Sequence, residues 1–341
     1  AATSSKNVGS YSISNLSGVT ISDQAGANAS SGALAANYTL TGGTHSFAIN
    51  PKAVNITGTR QYNGTTNIAA SDISGITGTV NTETLTMSSG LGTTSSANVG
   101  TYNLTDTSAG TLSLANGSNG GLAANYTLTG GTQTYTVTQR VLNSSGSKTY
   151  DANTNALAGA ITLSNLVSGE ALNHSGTATT SSANAGSYTI SNLSGISIAD
   201  GSGGAASNYT LTGGTHNFTV NPKVVSIQGN KTYDGNATIS AGNITSVVGT
   251  VGTQTLVISG GSGTVSSANA ATYSSSGINV GTLTLGNGSN GGLAANYTLT
   301  GHAASSFQVA QRVLSSSGSR IYDGSTTASA SDLTLSNLVG S

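Results

Sequence analysis

The chain lacks cysteine and tryptophan, and its 341 residues include only two prolines and one methionine. Without cysteine there are no disulfides, iron–sulfur clusters or thiolate metal sites. Charge is also scarce: charged residues make up 6%, and nine basic against ten acidic residues give a formal net charge of -1. This balance provides no basic patch for phosphate backbones and no polybasic surface for anionic lipids. We therefore expect no nucleic-acid partner and no membrane-surface partner.

Long hydrophobic runs are absent as well. No apolar run approaches the roughly 18 to 20 residues that span a bilayer, and the segment from Ala1 to Lys6 has no apolar signal core. We expect no membrane insertion, and we expect any export signal to lie outside these residues. Apolar residues still make up 35% and recur at regular intervals, unlike in a disordered chain. With the Ser, Thr, Asn and Gly bias, this favours a folded extracellular or cell-surface protein.

Two unrelated strings recur with the same period, which is the main signal in this sequence. Asn-Tyr-Thr-Leu-Thr-Gly begins at Asn37, Asn125, Asn208 and Asn296, at spacings of 88, 83 and 88 residues. A basic-x-Tyr-Asp/Asn-Gly/Ala string has its tyrosine at Tyr62, Tyr150, Tyr233 and Tyr322, at spacings of 88, 83 and 89. We interpret the chain as part of a longer tandem array, in which the partners of each unit are further copies of the same repeat.

The strings divide the chain into five segments, called repeats 1 to 5 below. Repeat 1 is the C-terminal part of a unit and repeat 5 the N-terminal part of another; the predicted bounds are 1–50, 51–138, 139–221, 222–310 and 311–341. Repeats also alternate in type. Asn50-Pro51-Lys52 returns at 221–223, and Gln139-Arg140-Val141-Leu142 returns at 311–314, so the full period is a pair of units.

Each repeat has the pattern of short strands. Beyond every Asn-Tyr-Thr-Leu-Thr-Gly string, an aromatic and a β-branched residue stand two apart: Phe47 and Ile49, Tyr135 and Val137, Phe218 and Val220, Phe307 and Val309. Alternation with period two places both side chains on one sheet face. The Gly-rich turn before this stretch predicts that it forms a hairpin with the Tyr-Thr-Leu strand.

The predicted fold class is all-β, because no segment shows a sustained helical period with caps. Six or seven strands in about 85 residues fit a small β-sandwich or grasp-like domain, and a tandem array of such domains would form an elongated rod. The alternative is a β-solenoid, whose repeat would be about 20 to 30 residues long.

The Tyr-Asp-Gly element predicts a tight turn, in which Gly supplies positive φ and the Asx side chain bonds nearby backbone. Basic residues fall at fixed phase, and the one three positions before each Asx can pair with it. We therefore assign a structural role to this motif: Tyr62, Asn63, Gly64, Tyr150, Asp151, Tyr233, Asp234, Gly235, Tyr322, Asp323 and Gly324. Asn63 and Ala152 depart from the pattern, which predicts less sharp turns there.

Enzyme interpretations are weaker. The carboxylates Asp72, Glu83, Asp106 and Glu170 are candidates for an acid/base pair, but Glu83 is replaced by Gln254, and Asp72 by Asn243, one period later. His45 and His216 are single histidines on exposed-looking strands, without metal-ligand spacing. Asp200 to Gly204 resembles a fragment of a calcium loop with too few ligands. The sequence predicts no catalytic, cofactor-binding or metal-binding residue and no cofactor.

Asn-x-Ser/Thr sequons coincide with the longer repeated string. They raise the hypothesis of glycosylation at Asn37, Asn125, Asn208 and Asn296. In a chain so rich in Asn, Ser and Thr many sequons arise by composition, and this column also suits a turn residue.

The string Lys231-Thr-Tyr-Asp-Gly235, its relatives at Arg60, Lys148 and Arg320, and the Asn-Tyr-Thr-Leu-Thr-Gly strings resemble the YDG-type repeats of large bacterial surface proteins. Those repeats occur in filamentous-haemagglutinin-like exoproteins exported by two-partner secretion. The resemblance implies the structural shaft of an extracellular adhesin or filament, with self-association into filaments as one variant and no catalytic residue. The alternative is a carbohydrate-binding repeat array that grips host or matrix glycans through exposed Tyr and Asn.

Overall fold

The computed structural model describes residues 1–23, 34–103 and 107–340. Strands account for 45% of the chain, and the helical elements of the described residues are three-residue 3-10 turns. The predicted all-β class is confirmed, and the chain forms small β domains in tandem rather than a β-solenoid. The elongated rod stays a prediction. Among the described residues there is no helix with the length and apolar character that crossing a membrane requires.

Short strands alternate with turns along the whole described chain. Strands β1 to β14 are Gly9–Ser12, Ser46–Ile49, Lys52–Ala53, Asn55–Gln61, Asn67–Ala69, Ile73–Thr77, Leu85–Ser89, Leu91–Thr94, Gly100–Tyr102, Thr107–Ser108, Ser113–Asn116, Tyr126–Thr127, Gln133–Thr138 and Arg140–Val141. Strands β15 to β35 are Asn143–Thr149, Asn155–Leu157, Ile161–Ser164, Leu172–Thr180, Gly186–Asn192, Ile196–Asp200, Tyr209–Thr210, His216–Asn221, Lys223–Val224, Ser226–Thr232, Thr238–Ser240, Ile244–Val248, Leu256–Gly260, Ser262–Val265, Ala271–Ser274, Ile278–Asn279, Thr284–Asn287, Tyr297–Thr298, Ser306–Ala310, Ser315–Gly318 and Leu333–Ser336.

The 3-10 turns stand at fixed places in the repeats. They are Ala35–Asn37, Ala70–Asp72, Ala123–Asn125, Ala158–Ala160, Ala206–Asn208, Ala241–Asn243, Ser275–Gly277, Ala294–Asn296 and Ala330–Asp332. One set of these turns ends on the asparagine of the Asn-Tyr-Thr-Leu-Thr-Gly string. A short helical turn therefore orients this side chain, and the strand begins at the next residue.

The described chain divides into two compact units. The first comprises Ala1–Val141, Asn165–Ala171 and Asp200–Thr210, and the second comprises Leu142–Ser164, Leu172–Ala199 and Leu211–Ser341.

In the first unit, the main sheet has the order β6-β4-β13-β9. Its two central strands, β4 and β13, run parallel in register from Ile56 opposite Gln133 to Gln61 opposite Thr138, while both edge strands are antiparallel to them. The predicted alternation is confirmed here, because Tyr135 and Val137 are both buried on one face. The Tyr135 ring lies over Gly58, its partner in register.

The predicted hairpin is wrong. The Gly-rich turn exists, since the Gly131 N–H donates to the Leu128 carbonyl at 3.2 Å. However, β12 pairs in parallel with β3, whereas β13 joins the main sheet. The turn therefore passes the chain from one sheet to another instead of pairing its two flanks.

In the second unit, the same arrangement occurs twice. Strand β15 lies parallel to β22 in a seven-stranded sheet, and β24 lies parallel to β33 in a four-stranded sheet of the order β26-β24-β33-β29. Phe218 and Phe307 are fully buried, and they belong to one hydrophobic core cluster with their β-branched neighbours Val220 and Val309. Each aromatic ring lies over the glycine opposite it, Gly146 or Gly229.

Candidate functional site

The asparagine of the Asn-Tyr-Thr-Leu-Thr-Gly string, called the motif asparagine below, binds the preceding repeat. Within the first unit, Asn208 Nδ2 donates to Asn98 Oδ1 at 2.9 Å, and the Val99 N–H donates to Asn208 Oδ1 at 2.9 Å. Asn208 is only 1% exposed. One buried amide therefore gives a donor and an acceptor to the contact between repeats 2 and 3.

The same pair of bonds recurs in other repeats. Asn125 Nδ2 donates to Asn7 Oδ1 at 3.0 Å and accepts from the Val8 N–H at 2.9 Å. Within the second unit, Asn296 Nδ2 donates to Asn184 Oδ1 at 3.0 Å, and its Oδ1 accepts from the Ala185 N–H at 2.7 Å. The motif asparagine thus has one role in repeats 2, 3 and 4.

The next residue, called the motif tyrosine, forms the second part of the junction. The Val167 N–H donates to Tyr209 Oη at 3.1 Å, and Tyr209 Oη donates to Glu170 Oε2 at 2.6 Å. Tyr62 of the preceding repeat donates to the other oxygen, Oε1, at 2.6 Å. The Tyr62 and Tyr209 rings meet edge to face, with centroids 5.5 Å apart. A single carboxylate therefore links phenols from two repeats.

At the corresponding place in the second unit an amide replaces the carboxylate. Tyr297 Oη accepts from the Val251 N–H at 3.0 Å and donates to Gln254 Oε1. The other end of the same amide, Gln254 Nε2, donates to Tyr150 Oη at 3.0 Å. The Tyr150 and Tyr297 rings again pack edge to face, at 5.3 Å. The geometry is retained although the charge is lost, so glutamate is not required for this contact.

Burial, and then the Glu170 carboxylate, raise the pKa of Tyr62 to about 12. The same two causes raise the pKa of Tyr209. Both phenols consequently stay neutral donors over the physiological pH range, as two hydrogen bonds to one carboxylate require.

The Tyr-Asp-Gly element forms the predicted turn in all four copies. The side-chain oxygen Oδ1 of the Asx residue accepts the N–H two residues on, and the residue after the Asx is left-handed: φ is 78° at Gly64, 64° at Ala152, 81° at Gly235 and 74° at Gly324. The expectation of less sharp turns at Asn63 and Ala152 is wrong. Ala152 keeps the left-handed conformation despite its Cβ, which costs free energy.

The predicted pairing of the basic residue with the Asp is confirmed. Lys148 lies 2.8 Å from Asp151, Lys231 lies 2.9 Å from Asp234, and Arg320 lies 3.0 Å from Asp323. The buried Lys231 ammonium also donates to the Asn236 and Thr238 carbonyls and to Asn236 Oδ1. These bonds hold the loop that follows the turn in a closed conformation. They also compensate the charge of the buried ammonium group.

The carboxylates that sequence alone offers for acid/base chemistry are hydrogen-bonded to tyrosines. Tyr135 donates to Asp72 Oδ2 at 3.0 Å, Tyr126 donates to Glu83, and Glu170 joins Tyr62 to Tyr209. Asp106 lies outside the described residues. Among the residues that are described, no three His, Asp or Glu side chains form a group that could hold a metal ion.

The two histidines at the start of the aromatic strands bond to backbone. His216 Nε2 lies 2.8 Å from the Leu211 carbonyl, and His45 Nε2 lies 2.8 Å from the Leu40 carbonyl. Gln133 Nε2 donates to Leu128 in the same way. The expectation of an exposed position is wrong for His216, which is buried. Asp200 Oδ1 accepts the Ala206 N–H at 2.7 Å, a loop-closing contact.

The glycosylation hypothesis concerns the same column as the motif asparagine. A glycan on Asn208 or Asn296 would have to displace the buried amide contacts to Asn98 or Asn184. Asn37, by contrast, is exposed. Glycosylation of the four sequons stays a prediction.

A comparison with protein-family models identifies these repeats. The model described as YDG domain matches residues 48–136, 132–217 and 215–306. The chain belongs to the YDG domain family. Comparison of this YDG chain with the curated proteins gave no match, and neither did comparison with the solved structures.

Sequence reasoning missed the partners that the YDG junctions use. Asn98 and Asn184 receive the motif asparagine, and Glu170 and Gln254 receive the tyrosines. A signal for the first pair was present, because Ser-Ser-Ala-Asn recurs at 95–98, 181–184 and 266–269. The second pair does not stand out as a repeated motif, because one member is Glu170 and the other is Gln254. This replacement removes the charge but keeps a carbonyl acceptor.

Proposed function

We propose that the chain is the structural shaft of an extracellular bacterial adhesin or filament, in which YDG repeats are joined by the motif asparagine and motif tyrosine. The observation that carries the proposal is the recurrence of one contact pattern: Asn125, Asn208 and Asn296 each bind an asparagine side chain and a backbone N–H of the preceding repeat. Repeats joined by identical contacts suit a spacer better than a solution-phase enzyme.

The burial of the tyrosines supports the shaft over the carbohydrate-binding array. Such sites use exposed aromatic platforms, whereas Tyr62, Tyr126, Tyr150, Tyr209 and Tyr297 are buried, and the chain has no tryptophan. The hydrogen bonds of Asp72, Glu83 and Glu170 to tyrosines likewise favour a non-enzymatic role. Filamentous-haemagglutinin-like proteins of two-partner secretion are the proposed context, on the motif resemblance.

Electron microscopy of the purified chain tests the shaft. We expect thin particles of constant diameter whose length grows in proportion to the number of repeats when repeats 3 and 4 are duplicated. The variant with Asn208→Ala and Asn296→Ala should give particles with bends at the altered junctions. Compact globular particles from the unaltered chain would contradict the proposal, and binding on a glycan array by a folded sample would favour the alternative.

A further inference from the structure

One of the four Tyr-Asp-Gly turns carries an asparagine where the others carry an aspartate. In the other three turns, the aspartate pairs with the basic residue three positions earlier. Asn63 instead faces its basic residue, Arg60, with a neutral amide. This turn lies within repeat 2, away from both ends of the sequence.

Three donors converge on the side-chain oxygen of Asn63. Arg60 Nη1 donates to Asn63 Oδ1, the Thr65 N–H donates to it at 3.1 Å, and Thr65 Oγ1 donates to it at 3.0 Å. Arg60 Nη2 also donates to the Thr65 carbonyl, so the guanidinium is fixed against the turn. One cation and two dipoles are therefore aimed at the atom on which negative charge develops when the Asn63 amide carbon is attacked.

The next residue, Gly64, offers an attacking atom. It has no Cβ to screen its backbone nitrogen from the Asn63 side chain. Among the described residues, the Gly64 N–H has no hydrogen-bond acceptor. Asn63 and Gly64 are both exposed, so water and a base from solvent can reach them. The turn thus combines a polarised amide with an accessible neighbouring nitrogen.

At the four other Asn-Gly pairs of the chain, a hydrogen bond holds one of the reacting groups. In Asn116–Gly117 and Asn287–Gly288, the glycine N–H donates to a backbone carbonyl, at 3.0 Å and 2.9 Å. In Asn119–Gly120 and Asn290–Gly291, the asparagine Nδ2 donates to a backbone carbonyl at 2.9 Å. The same dipeptide therefore stands in a different environment at position 63.

We propose that the folded chain converts Asn63 to aspartate without an enzyme. A base from solvent takes the Gly64 N–H proton, and this nitrogen bonds to Asn63 Cγ while the carbonyl electron pair moves to Oδ1, where Arg60 and Thr65 stabilise the charge. When the electron pair returns, the Cγ–Nδ2 bond breaks, and Nδ2 takes a proton from water and leaves as ammonia. Water then adds to Cγ of the cyclic imide, and the bond from Cγ to the Gly64 nitrogen breaks. This leaves a carboxylate at position 63 and restores the peptide N–H.

The same donors determine which product forms. They remain on Oδ1 in the imide, so they direct water to Cγ rather than to the backbone carbonyl, and the product is aspartate rather than isoaspartate. The new carboxylate pairs with Arg60, as Asp151 pairs with Lys148 at 2.8 Å. The inference goes beyond the proposed shaft and does not depend on it.

Peptide mapping by mass spectrometry tests the conversion in the full purified chain, stored at neutral pH and sampled over time. Replacement of the amide by a carboxyl raises the mass of the peptide, and in the folded chain Asn63 should convert at least about tenfold faster than each of the other four Asn-Gly sites. In concentrated urea all five sites should convert at similar rates, because they share the local sequence. Comparison with synthetic peptides that contain aspartate or isoaspartate identifies the product.

Two substitutions test the donors. Arg60→Met removes the cation and should slow the conversion at least about tenfold. Thr65→Val removes one hydroxyl donor, and it should slow the conversion by a smaller factor and leave thermal unfolding unchanged, since Thr65 is exposed. Thr59→Val, which removes an exposed hydroxyl from the same repeat, is the matched control and should leave the rate unchanged.

The proposal is overturned if Asn63 converts no faster than the other four sites in the folded chain. It is also overturned if neither Arg60→Met nor Thr65→Val slows the conversion, or if isoaspartate is the main product.

Discussion

The amide of Asn208 acts as donor and acceptor at once, which few short side chains can do. Its Nδ2 reaches Asn98 and its Oδ1 takes the Val99 N–H, both at 2.9 Å. Aspartate would keep the acceptor but would face Asn98 Oδ1 with an oxygen, and serine is too short to make both contacts. The chemistry of the contact thus explains why asparagine stands at this position in repeats 2, 3 and 4.

Replacing Asn208 by Ala should leave the Val99 N–H and Asn98 Oδ1 without their partner. We expect a loss of about 1 to 3 kcal/mol in the stability of the junction, together with faster hydrogen exchange at the Val99 amide. Asn37→Ala is the matched control, since Asn37 occupies the same motif position but is exposed. Equal protection of Val99 in the Asn208→Ala chain would contradict this role.

The Tyr62–Glu170–Tyr209 contact should open at alkaline pH. The pKa of Tyr62 rises from 10.0 to about 12 on folding, so the folded chain holds the phenolic proton more tightly than the unfolded chain does. This contribution to stability is fully present below pH 10 and is lost as the pH rises through about 12. The pKa of Tyr62 can be measured by ultraviolet titration of tyrosine ionisation, as the difference between the titration curves of the unaltered chain and of its Tyr62→Phe variant.

Glu170→Gln separates the two causes of this shift. Removing the carboxylate should lower the pKa of Tyr62, yet burial, the larger cause, should keep it above 10. Ionisation of Tyr62 near pH 10 in the unaltered chain would show that the phenol is not enclosed as described.

At the level of strands, the period-two pattern identified which side chains share a sheet face, but it did not identify which strands pair with each other. It placed Tyr135 with Val137 on one buried face, as found. It did not show that β13 pairs with β4, because the two strands are joined across more than seventy residues, from Ile56 to Gln133. Local alternation fixes which side chains point inward, whereas pairing depends on contacts distant in sequence. The Tyr-Asp-Gly turns, which are local, were predicted as turns in all four copies, although the loss of sharpness expected at Asn63 and Ala152 was wrong.

Gly229 illustrates a pairing constraint that the sequence pattern does not reveal. A Cβ there would lie 2.4 Å from the Asn243 carbonyl oxygen and 2.9 Å from Phe307 Cε2. Gly229→Ala should therefore destabilise repeat 4 by about 1 to 3 kcal/mol through overpacking, measured by chemical denaturation. Gly242→Ala in the same repeat is the control. Its Cβ meets only Ser240 Oγ at 3.9 Å, and a neutral or slightly stabilising effect is expected.

For the whole molecule, the sequence was sufficient for the all-β class and the tandem order, because period and composition are global properties. The YDG family matches cover residues 48 to 306. The five repeat bounds stay predictions. From the sequence, recurrence at fixed phase predicts only that such residues serve the fold of the repeat or its contact with a neighbour. It does not say which repeat Asn208 and Tyr209 contact.

The parallel pairing of first and last main strands determines how a YDG repeat responds to tension. Force applied to the start of β24 and the end of β33 slides the two strands along each other, so all five register pairs from Gln228–Ser306 to Thr232–Ala310 bear load together. Pulling Ser226 away from Val248, its antiparallel partner, breaks the pairs one after another. The first geometry should therefore rupture at a markedly higher force.

Cysteine handles can test this in an otherwise thiol-free chain. Optical-tweezer traces from Ser226→Cys with Ala310→Cys should show a higher rupture force than traces from Ser226→Cys with Val248→Cys, and equal forces would refute the shear interpretation. Such a repeat should resist stretching most strongly along its own chain direction. In the proposed shaft, such repeats would transmit pull from a bound surface to the cell while remaining folded.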